Sequence, residues 1–267
     1  MKIGFGTYKI NPPAEAVKAA LEAGYRYIDT ASIYNTEKAV REAIELTGIN
    51  REEIHIATKC WLDETGYEGT KAALGRSLKR LATDYVDTYL IHWPRRRGDI
   101  NWKETLRGTW KAMNELKRDG FIRRIGASNF LPHHLDVIDG IPDINQLELH
   151  PGYMQEAALK YSQELGIQVQ AWSPLGREKS FALDYINELA GKYAKSPAQI
   201  CIRYLLDRDI MPIVKSSTPE RIRENLDVFD FNLTKEEISY ITCLPQTTWR
   251  GEHPDINIPT KGSSFEI

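Results

Sequence analysis

The feature that most constrains the fold is a repeated alternation of short apolar segments with longer amphipathic segments. Such alternation favours βα units, in which helices connect the parallel strands of one sheet. Eight segments have the length and composition of strands. These predicted strands cover Gly4–Gly6 and the residues around Ile28, Ile56, Leu90, Ile125, Leu147, Ala171 and Ile213.

The segments between the strands predict helices, because apolar residues recur there at helical spacing and glycine or proline stands at many of their ends. The predicted helices cover 14–23, 36–46, 67–81, 102–118, a short stretch from Pro132, 155–165, 183–193, 196–206, 219–226 and 235–241.

Eight parallel units without an internal linker favour a closed α/β structure, the (β/α)8 TIM barrel, over a doubly wound open sheet. The glycine-rich signatures GxGxxG and GxxxxGK[ST], which often accompany nucleotide-binding open sheets, are absent. The 267 residues are close to the roughly 250 of a typical barrel. We therefore expect one domain, residues 1–267, with a short C-terminal tail over the barrel mouth, where Trp249 and His253 are candidates to cover the site.

Composition limits the classes of partner. The net charge of −2 gives no basic patch for a nucleic acid or an anionic membrane, and no apolar run reaches the roughly 18 residues of a membrane span. Three widely spaced cysteines indicate reduced thiols. With no basic and apolar leader at the N-terminus, a cytoplasmic location is expected.

Four titratable residues stand at or just after the predicted carboxyl ends of strands two to four: Asp29, Tyr34, Lys59 and His92. Any one of them alone is better explained as a turn residue, a solvated charge or a packing histidine. Barrel enzymes, however, carry their reacting groups at these strand ends. The convergence of a carboxylate, a phenol, an ammonium and an imidazole therefore indicates an active site.

The sequence resembles the aldo-keto reductase family in several separate motifs. Residues 24–34 (GYRYIDTASIY) are similar to the first signature of that family, 125–130 (IGASNF) to the second and 214–225 (VKSSTPERIREN) to the third. The IHWP run at 91–94 also matches, and the motifs keep their order along nearly the whole chain. The resemblance is to the prokaryotic branch that reduces methylglyoxal and 2,5-diketo-gluconate.

The resemblance implies a carbonyl reductase whose catalytic residues are Asp29, Tyr34, Lys59 and His92. A phenol has an ordinary pKa of about 10 and so holds a proton to donate near neutral pH. We expect the Lys59 ammonium to lower that pKa, Asp29 to hold Lys59, and His92 to orient the substrate oxygen. Tyr34 and His92 would together stabilise developing alkoxide charge.

The resemblance also implies a site for NADP(H) built from many strand ends. A 2′-phosphate needs cations and hydroxyl groups, and the cluster after strand eight offers both, whereas NAD sites more often offer a carboxylate. The Ser and Thr residues there would equally suit an ordinary helix N-cap. The implied cofactor residues are Gly6, Thr7, Tyr8, Asp29, Ser128, Asn129, Gln146, Trp172, Ser173, Leu175, Lys215, Ser216, Thr218, Arg221, Glu224 and Asn225.

The substrate is expected to be a small carbonyl compound that contacts Tyr34, Trp61, His92 and Trp93, with Tyr8 as a further candidate. Short loops around the mouth favour small or varied aldehydes and ketones. The run 95–97 (RRR) is interpreted as a solvated group of charges rather than as an anchor for anions. A monomer is expected, because nothing in the sequence demands a partner.

Two functions remain open from the sequence. The chain is either the predicted enzyme or a non-catalytic protein that binds or senses NADPH on the same fold. A metal-dependent hydrolase using Asp29, His92 and His150 is less favoured, because no HxH or HExxH motif occurs. His133 and His134 are adjacent on a helix, where neighbouring side chains diverge. No metal is therefore expected.

Overall fold

The computed structural model describes residues 2–249 and 251–256 of the chain. Eight parallel strands, β1 to β8, form a closed barrel in chain order, and β1 pairs with both β2 and β8. The strands are Gly4–Gly6, Tyr27–Asp29, His55–Cys60, Val86–Ile91, Ile122–Ser128, Ile144–Glu148, Gln168–Trp172 and Met211–Val214. The predicted (β/α)8 barrel is thereby confirmed.

Ten α-helices, α1 to α10, are found in the described part of the chain. They are Pro13–Ala23, Glu37–Thr47, Tyr67–Leu81, Trp102–Arg118, Pro132–Leu135, Glu156–Glu164, Asp184–Tyr193, Pro197–Leu206, Pro219–Glu224 and Lys235–Thr242. Four 3-10 turns that the sequence analysis did not predict lie between them, at Ser32–Tyr34, Arg51–Glu53, Leu62–Glu64 and Gly176–Ala182.

Helix α4 illustrates why these segments are helical. Leu106, Trp110 and Met113 recur at intervals of four and three and are buried in the main apolar cluster. Such spacing places them on one side of the helix, so their burial drives the helix onto the rest of the fold. Gly120 follows the helix with φ 88°, a left-handed conformation that glycine adopts without the penalty of a Cβ.

Side chains fill the barrel interior, and two of them pack closely against the backbone of β1. A Cβ on Gly4 would lie 2.6 Å from Ile213 and 2.8 Å from Tyr27, so only glycine leaves room for both side chains. Tyr27, Ala57, Met211 and Ile213 form a separate buried cluster. The barrel is thus a packed core rather than a pore.

Predicted and observed bounds agree for α3 and α4. Helix α9 ends at Glu224, two residues before the prediction, because the N–H of Leu226 turns to the carbonyl three residues earlier, Arg223. Among the described residues, no helix combines the length and the apolar character that a membrane crossing requires.

Candidate active site

The four titratable residues lie where the barrel strands end. Asp29 is the last residue of β2, Lys59 lies one residue before the end of β3, and His92 follows β4 directly. Tyr34 closes the short turn that follows β2. Because parallel strands expose their carboxyl ends at the same rim, the fold brings all four to the barrel mouth.

Lys59 and Asp29 form a buried ion pair. The Lys59 Nζ lies 2.5 Å from Asp29 Oδ1 and 3.0 Å from the carbonyl oxygen of Thr30. The two side chains are 1% and 5% exposed, so the pair is shielded from solvent. Burial lowers the pKa of Lys59, and the Asp29 carboxylate opposes that shift by favouring the charged ammonium.

Tyr34 differs from the expectation in its pKa. Burial, the Asp29 carboxylate and the Tyr8 phenol raise the pKa of Tyr34 well above 10, whereas a lowered value was predicted. Burial is the largest of these causes, and it prevails although the Lys59 ammonium, which bonds to Asp29, lies 5.1 Å from the centre of the Tyr34 ring. Tyr34 is therefore a protonated phenol across the neutral range.

His92 is a neutral imidazole with one nitrogen directed at Tyr34. Burial, followed by the Lys59 charge, lowers the pKa of His92 well below 6.5. Its Nε2 lies 3.2 Å from the Tyr34 hydroxyl oxygen, and its buried Nδ1 has no partner among the described residues. An N–H on Nδ1 would be an unsatisfied buried donor, so the proton belongs on Nε2.

The hydrogen bond between these two residues thus has a direction. His92 Nε2 donates to the Tyr34 oxygen, which leaves the phenolic hydrogen free to point into the mouth. The Tyr34 hydroxyl then faces the mouth as a donor, and the His92 N–H becomes a second donor to the same position if a ligand oxygen replaces the Tyr34 oxygen as its acceptor. Such a pair can stabilise negative charge that develops on a substrate oxygen.

Aromatic side chains line the mouth beside the donors. The Trp61 ring meets the His92 ring edge-on at 4.8 Å between centres, and Trp61 packs in a buried cluster with Leu62 and Trp93. The Tyr8 ring lies 4.9 Å from the Tyr34 ring. The residues predicted to contact the substrate therefore surround the donor pair.

Four of the implied cofactor residues form one hydrogen-bonded group: Ser128, Asn129, Gln146 and Trp172. Asn129 donates to Ser128 Oγ and to the His92 carbonyl, and its own Oδ1 accepts from Trp172 Nε1 at 2.8 Å. Gln146 Nε2 donates to Asp29 Oδ2 at 2.9 Å. The group therefore contacts the catalytic candidates through both His92 and Asp29.

Within the described residues, Gln146 Oε1 has no donor, because both hydrogen bonds of this side chain run from Nε2. This carbonyl oxygen is a free acceptor for a ligand N–H.

Thr7, directly after β1, uses its side chain for hydrogen bonds within the protein. Thr7 is fully buried, and its hydroxyl donates to the Asp29 carbonyl at 3.0 Å and contacts the Thr36 hydroxyl at 2.8 Å. A Cβ on Gly6 would lie 3.2 Å from Ile213. The Thr7 hydroxyl thus joins the two ends of the loop that carries Tyr34.

The predicted phosphate-binding residues lie after β7 and β8. Ser173 adopts a left-handed conformation with φ 49°, and Leu175 precedes the turn Gly176–Ala182. Thr218 stands at the N-cap position of α9, but its side chain makes no capping hydrogen bond. The Thr218 N–H donates to Ser216 Oγ.

The residues of α9 differ in their exposure. Arg221 is exposed and lies 3.9 Å from Glu178, whereas Glu224 is half-buried and Asn225 is buried at the end of the helix. Arg221 is thus free to meet a ligand at the rim.

Two cations near the predicted residue Lys215, namely Arg177 and Lys9, were missed from sequence. Burial lowers the pKa of Lys215, and the charges of Arg177 and Lys9 lower it further. Arg177 belongs to the turn after β7 and lies 3.8 Å from Glu252 of the tail. Two cations from other loops thus lie near enough for their charges to act on Lys215, an arrangement that an anionic ligand would stabilise. Only the folded loops bring them together, so no sequence motif signals the cluster.

The described part of the tail lies on the rim of the mouth. Thr248 bonds to the loop after β6, and Trp249 stacks loosely on Tyr153 of the same loop. Asp255 reaches Arg95 at 3.8 Å, and Arg95 also lies over the Trp102 ring. Arg95 is therefore half-buried and paired, which corrects its interpretation as a solvated charge, while Arg96 and Arg97 are exposed.

His133 and His134 were expected to diverge, and that expectation is wrong. Their rings lie 4.0 Å apart, and each Nε2 is 3.0 Å from a carboxylate oxygen of Asp255. The cluster is poorly suited to a metal ion, because His134 Nδ1 accepts the Leu131 N–H. A neutral His134 then carries its proton on Nε2, which leaves no lone pair there for a metal.

The model of the Aldo/keto reductase family matches residues 2–244. A glyoxal reductase of Bacillus subtilis (strain 168) is 41% identical over 259 residues, covering 94% of this chain and 91% of that protein. The methylglyoxal reductase DkgA of Escherichia coli (strain K12) is 45% identical over 246 residues, covering 90% and 87%.

Among solved structures, a point mutant of Gox0644 in complex with NADPH superposes with a TM-score of 0.88 at 35% identity. The match covers 97% of this chain and 94% of that chain.

Proposed function

Because this chain belongs to the aldo/keto reductase family, an oxidoreductase family, we propose that it reduces aldehydes or ketones with NADPH and that Tyr34 donates the proton. The single observation that carries the proposal is the donor pair at the mouth, where the Tyr34 hydroxyl and His92 Nε2 are 3.2 Å apart. The buried ion pair of Asp29 and Lys59 lies directly beside it.

Two observations support a nicotinamide dinucleotide at this mouth. Gln146 Oε1 is an acceptor without a donor among the described residues, which suits the N–H group of a carboxamide. Lys215, Arg177 and Lys9 form a cationic group, which suits phosphates. NADPH, when bound, supplies the hydride that reduces the carbonyl carbon. The complex of Gox0644 with NADPH supports the choice of the phosphorylated dinucleotide.

The protein's own residues bind and protonate the carbonyl oxygen of the substrate. His92 Nε2 and the Tyr34 hydroxyl bind the carbonyl oxygen and orient it, and Tyr34 transfers its proton to that oxygen as negative charge develops. The Lys59 ammonium stabilises the phenolate that remains, and Asp29 keeps Lys59 charged within a buried site. Trp61 and Trp93 exclude water from one side.

The aromatic residues at the mouth and the names of the relatives together indicate the substrate class. The curated relatives named above are reductases of glyoxal and methylglyoxal, and a small dicarbonyl fits a mouth walled by Trp61 and Trp93. We propose that the whole chain acts as one barrel domain and that the tail lies over this mouth, as the contacts of Thr248 and Asp255 support.

The test is consumption of NADPH in the presence of methylglyoxal by the native protein and by Tyr34→Phe. We expect turnover to fall by about 10²–10⁴ in the variant, while the dissociation constant for NADPH stays unchanged. A variant as active as the native protein would contradict the role of Tyr34. Native protein that binds NADPH but reduces no member of a wider carbonyl panel would instead support a cofactor-binding or sensing protein.

A further inference from the structure

A chain of side-chain hydrogen bonds crosses the barrel interior beneath the mouth. Gln146 Nε2 donates to Asp29 Oδ2 at 2.9 Å and to Gln170 Oε1 at 3.0 Å. Gln170 Nε2 in turn donates to the Tyr27 hydroxyl at 2.9 Å. Gln170 is fully buried and Tyr27 is 3% exposed. The chain therefore connects the site to the packed core through partners that are shielded from water.

The direction of every bond in this chain is fixed by the Asp29 carboxylate. A carboxylate oxygen accepts hydrogen bonds, so Gln146 must turn its Nε2 toward Asp29. The second N–H of that nitrogen then faces Gln170, which must present its carbonyl oxygen. Turning either amide over would place two donors or two acceptors against each other.

Gln170 determines where the carbonyl oxygen of Gln146 points. Without Gln170, the second N–H of Gln146 would be a buried donor without an acceptor, and the amide would gain by rotating or by recruiting water. With Gln170 in place, both N–H groups are satisfied inside the protein. The Gln146 Oε1 atom is then left as an acceptor with no donor from the described residues.

We propose that Gln170 and Tyr27 are positioning residues that hold the Gln146 carbonyl oxygen toward the carboxamide of the cofactor. This inference rests on the proposed function, since it requires a nicotinamide at the mouth. The two residues thereby set the preference of the site for a carboxamide over a pyridine substituent that has no N–H. Neither residue touches the cofactor in this arrangement, and both act through Gln146.

The test compares binding of NADP⁺ with binding of its 3-acetylpyridine analogue, which keeps the carbonyl and replaces the amino group by a methyl group. Dissociation constants are measured from quenching of tryptophan fluorescence in the native protein, Gln170→Met and Tyr27→Phe. One lost neutral hydrogen bond corresponds to a preference of about five- to tenfold. We expect that preference in the native protein, its near loss in Gln170→Met and an intermediate value in Tyr27→Phe.

Gln168→Met is the matched control. Gln168 lies two residues earlier on β7, on the same side of the strand, and within the described residues its amide reaches only the Met211 sulfur, at 3.9 Å. It is not part of the chain to Asp29, so the native preference is expected to persist. A general loss of stability would weaken the binding of both nucleotides by the same factor, so the ratio of the two dissociation constants would not change.

The outcomes separate this inference from the function on which it rests. Native protein that binds neither nucleotide overturns the proposed function and the inference together. Native protein that binds both nucleotides equally overturns the inference and leaves the reductase proposal standing. If Tyr27→Phe and a folded Gln170→Met both keep the native preference for NADP⁺ over the analogue, the inference is likewise overturned and the reductase proposal stands. If Gln170→Met fails to fold, Tyr27→Phe decides, because it removes one hydroxyl and keeps the ring.

Discussion

His134 Nε2 lies 3.0 Å from Asp255 Oδ1, although 121 positions separate the two residues in the chain. His134 is fully buried, and its Nδ1 accepts the N–H of Leu131. Burial lowers the pKa of His134 from 6.5 to about 4, and the Asp255 carboxylate offsets part of that effect. The imidazole therefore joins helix α5 to the C-terminal tail as a neutral group.

This pairing predicts a loss of stability in acid. The unfolded chain binds the proton of His134 near pH 6.5, whereas the folded chain binds it only near pH 4. Fewer protons are bound in the folded state between those values, so its stability is full above pH 6.5 and falls as the pH approaches 4. The expected loss in the free energy of unfolding is about 2–3 kcal/mol.

Urea unfolding at pH 6.5 and at pH 4 measures this loss in the native protein and in His134→Gln, which removes the titrating group. The difference between the two pH values is expected to shrink in the variant without vanishing, because burial also lowers the pKa of His55 to about 4. His133→Gln is the control, since His133 is 54% exposed. An equal pH dependence in all three proteins would contradict the assignment.

The raised pKa of Tyr34 predicts a flat alkaline profile. A proton donor is active below its pKa, so a pKa well above 10 keeps Tyr34 competent throughout the range from pH 7 to pH 10. The measurement is the turnover number for methylglyoxal reduction at saturating NADPH across that range. A decline that sets in below pH 10 would show instead that Lys59 lowers the pKa once the ligands are bound.

The buried pair of Asp29 and Lys59 predicts separate effects on stability and on activity. Lys59→Met leaves the Asp29 carboxylate buried without its cation and is expected to lower the free energy of unfolding by about 3–5 kcal/mol. The double variant Asp29→Asn with Lys59→Met removes both charges and should recover most of that loss, while reduction stays abolished. Denaturant unfolding and NADPH consumption on the same samples distinguish these effects. Recovered activity in the double variant would exclude Lys59 from the chemistry.

The exposed Arg221 predicts the selectivity for the phosphorylated cofactor. Arg221→Ala is expected to weaken NADPH binding about tenfold or more through lost charge-assisted bonds, and to leave NADH binding unchanged. Arg223→Ala serves as the control on the same helix, because Arg223 lies 3.6 Å from Glu220 within α9. Calorimetric titration with both nucleotides provides the comparison. An equal loss for NADPH and NADH would place the 2′-phosphate elsewhere.

Much of the fold follows from local sequence. Helix α4 begins and ends where predicted, because its apolar spacing is strong and Gly120 marks the stop that follows it. The approach of Asp29, Lys59 and His92 follows as well, since parallel strands of a barrel carry their ends to one rim.

The interactions that sequence reasoning missed depend on distances between side chains of remote segments. The raised pKa of Tyr34 follows from its burial and from the Asp29 carboxylate and the Tyr8 phenol beside it, and no residue pattern encodes those surroundings. Likewise, the bond between Gln170 and Tyr27 joins residues 143 positions apart on strands that do not pair. Register and rotamers, rather than motifs, determine such contacts.

One carboxylate has two neighbours of different kinds. Asp29 gives one oxygen to Lys59 and the other to Gln146. Under the proposed function, proton delivery and cofactor recognition are thus mechanically coupled at a single side chain, and a substitution there changes both at once. Under the same proposal, a substitution in the aromatic cluster of Trp61 and Trp93 is expected to alter the fit of the substrate without moving Asp29, which is not part of that cluster.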